Sequence, residues 1–194
     1  MIRRTLLQGL AALAALPLLS ACSRAVGPAP METGAAPASP PSDGITSTAG
    51  AVIAGSVTPL GHPAAYWRDK VSPAAFTVLF QDGTERAFSS PLDKEKRAGT
   101  FVCAACQLPL FDSADKFDSG TGWPSFTRAI AGHTGSARDF KLILPRTEYH
   151  CARCGGHQGH IFNDGPAPLG KRWCNNGVAL AFVPQGQPLP ALRS

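Results

Sequence analysis

The sequence predicts an all-β domain of mostly antiparallel strands, with short helices on its N-terminal side. From Thr100 onward, short apolar segments alternate with clusters of Gly, Pro, Asp and Asn, a pattern typical of strands joined by turns. In the last segment, Val178, Leu180 and Phe182 share one side and the residues between them share the other, as on a strand. The predicted strands are residues 100–103, 108–111, 140–144, 160–162 and 177–183.

Two prolines mark the starts of the predicted helices. Pro63 and Pro73 each follow a residue that can precede a helix, and proline is favoured at the first helical position. Residues 64–70 and 74–80 are therefore predicted to form short helices at the entry to the domain.

The first 22 residues have the features of an export signal. Arg3 and Arg4 supply a positive start, residues 6–19 are apolar but short for a membrane span, and small residues precede Cys22. We therefore expect a signal peptide over residues 1–22. The arginine pair also resembles a twin-arginine signal, so the export route stays open.

The end of this segment predicts a lipid anchor. Leu19-Ser20-Ala21-Cys22 resembles the lipobox of bacterial lipoproteins, in which the cysteine is acylated and becomes the new N-terminus. Cleavage at an Ala-x-Ala-like site without lipidation is the alternative. We expect lipidation of Cys22 and a protein of the bacterial cell envelope that is lipid-anchored and faces the periplasm.

The rest of the chain divides by composition. Residues 23–61 are mostly Ala, Pro, Gly, Ser and Thr, which cannot repay the entropy of ordering, so they are predicted to be a disordered linker. Residues 62–184 are expected to form one domain, followed by a polar tail over residues 185–194. The formal charge is +5, and without residues 1–22 it is +3. No basic tract with interleaved aromatic residues occurs, which argues against nucleic acid as a partner.

Four cysteines form two Cys-x-x-Cys pairs, Cys103 with Cys106 and Cys151 with Cys154. This spacing is typical of zinc knuckles, in which small residues allow the turn that directs two thiolates at one ion. One structural Zn²⁺ per chain is therefore predicted. Disulfides are the alternative in an exported protein, but Cys-x-x-Cys disulfides are usually strained and redox-active.

A fifth cysteine, Cys174, has no pair and lies among polar residues. It is a candidate nucleophile, because Arg172 would favour the thiolate and Asn176 would donate hydrogen bonds. A small buried core residue is the alternative, since unpaired cysteines are often buried.

Two histidines follow the second cysteine pair, His157 and His160. Spaced three apart, they can converge on one site as metal ligands or proton donors. Because four sulfurs already satisfy zinc, we favour an acid–base role. Asp164 would orient one imidazole, or else only form the turn before Gly165-Pro166.

Residues 120–126 form a glycine-rich aromatic loop. It supplies Trp123 and Phe126 as candidate substrate contacts, because an indole face suits a methyl group attached to an electron-poor sulfur. A Trp-Pro-Ser-Phe run is also typical of a hydrophobic core.

The two cysteine pairs and the segments 84–88, 116–126, 156–165 and 172–176, taken in order, resemble the B-type peptide methionine sulfoxide reductases. The similarity extends from about residue 63 to residue 184. It implies two antiparallel sheets, a structural zinc ion remote from the active site, and reduction of the R epimer of methionine sulfoxide in oxidised proteins.

The resemblance also implies roles for the candidate residues. Cys174 is similar in position to the nucleophile that attacks the sulfoxide sulfur and becomes a sulfenic acid. His157 and His160 match the histidines that protonate the sulfoxide oxygen, and Trp123 would bound the pocket for the substrate methyl group. Asn176, Asp164 and Arg172 would complete its polar wall.

The chain departs from the family pattern at two positions. Many relatives carry a resolving cysteine where this chain has Thr121. Once lipidation and zinc binding are accounted for, no cysteine other than Cys174 remains here. We therefore expect a one-cysteine cycle, completed by a thioredoxin-like domain or a small thiol. Asn175 stands where relatives usually carry an apolar residue.

Two other classes of protein share some of these features. A zinc-stapled β module that binds a ligand without catalysis would not require Cys174 together with the two histidines. A disulfide oxidoreductase using its Cys-x-x-Cys pairs lacks the βαβ pattern of thioredoxin-like proteins. The sequence favours a monomeric enzyme.

Overall fold

The computed structural model describes residues 57–142 and 144–194, and these contain nine strands in two antiparallel sheets. The strands are β1 (Gly99–Cys103), β2 (Pro109–Asp112), β3 (Lys116–Phe117), β4 (Ser125–Phe126), β5 (Thr134–Asp139), β6 (Arg146–Cys151), β7 (His157–Phe162), β8 (Arg172–Asn175) and β9 (Leu180–Pro184). The smaller sheet has the order β2-β1-β9, and the larger has the order β3-β4-β8-β7-β6-β5. The predicted all-β class with two antiparallel sheets is confirmed.

The predicted helices are present as short elements. The helix α1 (Pro73–Gln81) begins at Ser72, whose Oγ accepts a hydrogen bond from the Ala75 amide at 3.2 Å, as expected of a capping serine. Its buried residues include Phe76 and Leu79, so it covers the core. The first predicted helix is shorter than residues 64–70. The 3₁₀ turns are Ala64–Trp67, Pro91–Lys94, Ser113–Asp115 and Gly177–Ala179.

The prediction of a strand over residues 140–144 was wrong. Its described residues, 140–142 and 144, lie between β5 and β6 and belong to no strand, and the last pair of the ladder joins Asp139 to Arg146. Pro145 precedes Arg146 and has no N–H to donate to a strand partner. The β5–β6 ladder therefore does not extend beyond Arg146 toward the loop. The prediction for residues 177–183 was half right, since residues 177–179 form a 3₁₀ turn and only the rest is strand.

Aromatic side chains from the two sheets meet in the core. Phe126 of β4 stacks on Phe111 of β2 with ring centroids 4.1 Å apart, and Phe101 of β1 meets Phe126 edge-on at 5.0 Å. Trp173 of β8 and Tyr149 of β6 pack edge-on at 4.8 Å. The larger sheet therefore turns one face to the smaller sheet and leaves its other face for the site described below.

The C-terminal residues 185–194 contain no strand or helix but are fixed to the domain. The Arg193 guanidinium donates to the carbonyl oxygens of Lys70, Ala104 and Ala105. The Arg193 backbone amide donates to the Cys106 carbonyl oxygen at 3.0 Å. The predicted tail, residues 185–194, therefore hydrogen-bonds to the turn that carries Cys103 and Cys106.

The predicted signal peptide, Cys22 and nearly all of the predicted linker lie outside the described residues. Among the residues that the structure describes, no helix has the length and apolar character needed to cross a bilayer.

Candidate active site and metal centre

The four paired cysteines converge on one point. Each pair sits in a turn, the first after β1 and the second after β6, and all four Sγ atoms lie within 4.8 Å of one another. Two close sulfur contacts join the different pairs, with Cys103 3.6 Å from Cys154 and Cys106 3.5 Å from Cys151. Tetrahedral zinc with Zn–S bonds of ~2.3 Å sets its sulfurs ~3.8 Å apart. The donor set and its geometry therefore fit a zinc-type metal ion.

The candidate nucleophile lies in a row of residues that crosses the larger sheet. The antiparallel register places Cys174 of β8 directly opposite His160 of β7 and Ser125 of β4, while His160 is also opposite Glu148 of β6. Side chains directly opposite one another share a face and have Cβ atoms about 5 Å apart. The row therefore brings a thiol, an imidazole and a carboxylate together, although they are far apart in sequence.

A small cleft opens over this row. It encloses about 130 Å³, and an apolar cavity of ~150 Å³ holds a molecule the size of benzene, so there is room for one side chain. Four of the predicted site residues line it, namely Trp123, His160, Cys174 and Asn176. The lining residues that were not foreseen in this role are Thr84, Arg146, Gly159, Phe162 and Asn175.

Burial raises the pKa of the Cys174 thiol. The positive charge of Arg172 and hydrogen bonds with Arg172 and Thr121 act in the opposite direction without overcoming the burial. Arg172 thus favours the thiolate as expected, but Cys174 remains a protonated thiol in the substrate-free protein. The proton must leave Cys174 before its sulfur becomes strongly nucleophilic.

His160 is held by a carboxylate that the sequence did not reveal. Its Nε2 lies 2.7 Å from Oδ2 of Asp139, and the same oxygen accepts a hydrogen bond from Arg146 at 2.6 Å. A carboxylate can only accept, so Nε2 carries the hydrogen and Nδ1 is the free acceptor of the neutral ring. Burial lowers the pKa of His160, and the hydrogen bond to Asp139 partly offsets this.

His157 lies behind His160. It is 6% exposed, does not line the cleft, and places its ring centroid 5.3 Å from that of His160. Glu148 binds its Nδ1 at 2.8 Å and also binds His150 at 3.1 Å. Burial opposes ionisation of Glu148, but hydrogen bonds from these two histidines outweigh it and lower its pKa to about 2. His157 is therefore placed to support His160 rather than to touch a bound molecule.

Asp164 was hypothesised to orient an imidazole, but it binds Arg172 instead. Its two oxygens each accept a hydrogen bond from Arg172 at 2.9 Å, a bidentate pair that lowers the pKa of Asp164. The Arg172 guanidinium also lies 4.4 Å from the Phe162 ring centroid. Asp164 thus fixes Arg172, whose charge acts on Cys174.

Phe126 was predicted to contact substrate, but the structure places it in the core with no exposed surface. The register explains this, because Ser125 is paired with Cys174 on the cleft face and the next residue necessarily points to the other face. The alternative interpretation of the Trp-Pro-Ser-Phe run, a core segment, is the correct one for this residue.

Asn176 lines the cleft with its amide already occupied. Its Nδ2 donates to the Gln158 carbonyl at 2.9 Å, and its Oδ1 accepts from the Glu85 amide at 3.0 Å. The Glu85 carbonyl in turn accepts from Trp123 Nε1 at 3.2 Å. Asn176 therefore holds the indole in place through Glu85 instead of donating to the thiol.

Asn175, the unusual polar residue, is 1% exposed and satisfied. It accepts from the Tyr149 hydroxyl at 2.6 Å and donates to the Asn176 carbonyl at 2.8 Å. It also donates to Gln158, whose Nε2 lies 3.5 Å from the Cys103 sulfur. Buried polar contacts therefore connect the cysteine cluster to the strand that carries Cys174.

One sequence signal would have revealed part of what was missed. In β6, Arg146, Glu148 and His150 alternate with Thr147 and Tyr149, the period-two pattern of a strand with one polar face. No comparable local signal identifies Asp139, because its partner His160 is 21 residues away in sequence.

A thiol and an imidazole facing a cleft, with a separate four-cysteine cluster that could hold a metal ion in an all-β fold, are features that an oxidoreductase with a reactive cysteine would have. The family model described as the SelR domain matches residues 71–184, more than half of the chain, and the chain belongs to this family.

Relatives from widely different organisms carry the same protein name. The peptide methionine sulfoxide reductase MsrB of Bradyrhizobium diazoefficiens is 49% identical over 120 residues, which are 61% of this chain and 86% of the relative. The protein of the same name in Pseudomonas putida is 48% identical over 61% of this chain and 90% of its own length. That of Methanosarcina barkeri is 48% identical over 60% and 82%.

Proposed function

We propose that the protein reduces methionine-R-sulfoxide in oxidised proteins to methionine, using thiols as the source of electrons. The observation that carries this proposal is the cross-strand pair of Cys174 and His160, which lines one cleft together with Trp123. Membership of the SelR domain family and the names of its relatives support the reaction class. The cleft admits one side chain, which suits reduction of a single oxidised residue.

The first step transfers oxygen from the substrate to the enzyme. Neutral His160 accepts the Cys174 proton, the thiolate attacks the sulfoxide sulfur, and the imidazolium gives the proton to the sulfoxide oxygen. The hydroxyl then moves from the substrate sulfur to the Cys174 sulfur while the sulfur–sulfur bond made in the attack breaks. Methionine leaves, and Cys174 is left as a sulfenic acid. Trp123 packs against the substrate methyl group, while Arg172 and Thr121 favour the thiolate.

The second step returns the enzyme to its thiol form. Thr121 lies near enough to Cys174 to lower the pKa of its thiol, and this position holds a hydroxyl and not a second thiol. An external thiol therefore attacks the sulfenic acid, releasing water and forming a mixed disulfide, and a second thiol frees Cys174. A thioredoxin-like domain or a small thiol supplies these two electrons.

The metal and the cellular location complete the proposal. Cys103, Cys106, Cys151 and Cys154 would hold one Zn²⁺, which would supply cross-linking and no part of the reaction. The chain acts as a monomer at the periplasmic face of the cell envelope, anchored through lipid on Cys22. The basis for the anchor is the sequence Leu19-Ser20-Ala21-Cys22.

Separated sulfoxide epimers test the proposed activity. With dithiothreitol as reductant, we expect the protein to convert the R epimer of N-acetyl-methionine sulfoxide amide to the sulfide and to leave the S epimer unchanged. Chromatography of the products measures both. Reduction of the S epimer, or of neither, would refute the proposal.

Asp139 offers a second test, aimed at the role of His160. In Asp139→Asn, we expect kcat to fall at least about tenfold, because the imidazolium loses the carboxylate that stabilises it. The pKa of His160 should fall below its wild-type value, since the bond to Asp139 raises it. NMR titration of the imidazole measures this shift, which a purely structural defect would not produce.

A matched variant controls for the loss of a carboxylate. Asp115 makes a similar pair with Arg128 Nε at 2.9 Å but has no hydrogen bond to His160, so Asp115→Asn should leave kcat and the His160 pKa unchanged. An unchanged or raised His160 pKa in Asp139→Asn would contradict the assignment.

A further inference from the structure

The loop between β5 and β6 carries exposed apolar side chains that the catalytic proposal does not use. Phe140, Leu142 and Leu144, here termed the hairpin crest, are 72%, 57% and 78% exposed. Large apolar residues grouped in this way on a soluble domain commonly mark an interaction site. They are also the residues for which the sequence predicted a strand, because apolar segments of this kind are normally buried.

The hairpin crest is continuous with the catalytic cleft. At its base, Asp139 and Arg146 form the last pair of the ladder, with Asp139 bound to His160 and Arg146 lining the cleft. Within the loop, Lys141 Nζ lies 2.8 Å from Asp82, two residues before the cleft residue Thr84. The loop is thus attached at its base to the cleft residue Arg146, and through Lys141 to a residue two positions from the cleft residue Thr84.

A second exposed aromatic residue lies on the Trp123 side. Phe88 is 66% exposed and has the left-handed backbone conformation, with φ of 63°. Its amide donates to the Gly122 carbonyl at 2.7 Å, and its ring lies so close to Gly122 that a Cβ there would clash at 2.7 Å. Phe88 therefore lies against the loop that carries Trp123, and is a second exposed apolar side chain near a cleft residue.

We propose that the hairpin crest binds the apolar residues flanking an oxidised methionine in an unfolded polypeptide. This inference rests on the proposed function and specifies its substrate class. A cleft for one side chain, bordered by uncovered apolar residues, suits an extended chain that threads one residue inward and lays its neighbours on the surface.

Replacing all three residues tests this role. In the variant F140S/L142S/L144S, we expect kcat/KM for a denatured, chemically oxidised protein to fall about tenfold, mainly through KM, because the apolar contact is lost. kcat/KM for N-acetyl-methionine-R-sulfoxide amide should stay within about twofold of wild type, since this substrate has no flanking residues to bind. Unchanged metal content and melting temperature would establish that the variant is folded.

The matched control removes exposed leucines elsewhere. Leu189 and Leu192 are 37% and 38% exposed in the C-terminal segment and do not line the cleft, so L189S/L192S should match wild type on both substrates. Equal loss on both substrates in the crest variant, or the same loss in the control, would overturn the inference. So would crest-dependent binding to lipid vesicles without any change in KM for the protein substrate.

A binding measurement separates this inference from the proposed function. Fluorescence anisotropy of the labelled unfolded protein should show weaker binding to the crest variant than to wild type, whether or not turnover occurs. A wild-type protein that binds but reduces neither substrate would refute the proposed function alone. Equal binding by both proteins, together with normal turnover, would refute the role of the hairpin crest alone.

Discussion

Cys174→Ser is expected to lose at least about a thousandfold in kcat, because a hydroxyl in place of the thiol cannot form the sulfenic acid. The remaining site should persist, since His160 is held by Asp139 and Trp123 by Glu85, neither of which depends on the sulfur. Reduction of the R epimer with dithiothreitol measures the loss. Substantial remaining activity would overturn the assignment of Cys174 as nucleophile.

A trapping experiment on wild-type protein and on Cys174→Ser tests the one-cysteine cycle. Wild-type protein treated with one equivalent of substrate and no reductant should give one sulfenic acid on Cys174, trapped by dimedone and located by mass spectrometry. The Cys174→Ser variant should give none. An intramolecular disulfide to Cys174 would contradict reduction by an external thiol.

Cys174→Ser should also keep its metal and its fold. Its sulfur is not part of the four-cysteine cluster, and a serine of similar size should change the free energy of unfolding by no more than ~1 kcal/mol. Metal analysis and thermal unfolding check this. The variant therefore serves as the matched cysteine-to-serine control for the second prediction.

Cys106→Ser is expected to lose the metal and most of the stability. Cys106 is fully buried, and a structural zinc contributes ~10 kcal/mol or more of apparent binding energy, comparable to the whole stability of a domain. Loss of one thiolate also leaves buried sulfurs without their counter-ion. We expect metal content near zero by elemental analysis, with loss of the cooperative thermal transition.

The cluster also supports the active site, so activity should fall with the metal. Gln158 lies between the Cys103 sulfur and Asn175, and its backbone carbonyl holds Asn176. Chelation of the wild-type protein should therefore reduce activity and expose four additional titratable thiols. Full activity and an unchanged melting temperature after verified metal removal would contradict a structural role.

The features that could be predicted were those with a local signal. The Cys-x-x-Cys spacing places two sulfurs on one turn regardless of the rest of the fold, so Cys103, Cys106, Cys151 and Cys154 could be grouped at once. The all-β class followed from short apolar segments between turn residues, and the start of α1 from Ser72-Pro73. Cys174 was distinguished by having no partner within this pattern.

Other features required the register of strands that are distant in sequence. Asp139 meets His160 only because β5, β6 and β7 are neighbours, and the spacing along the chain favoured Asp164 instead, which in fact binds Arg172. Phe126 was assigned to the cleft because it is near Trp123 in sequence, although the pleat turns it into the core.

The sequence by itself determined the fold class, the metal-type cysteine cluster and the candidate nucleophile, because each depends on residue type and on spacing within a few positions. Only the tertiary structure decided which carboxylates hold His157 and His160, that the amide of Asn176 positions Trp123, and that the apolar residues after β5 stay uncovered. Strand pairing and packing set these relations between distant segments, and the composition of either segment alone does not contain them.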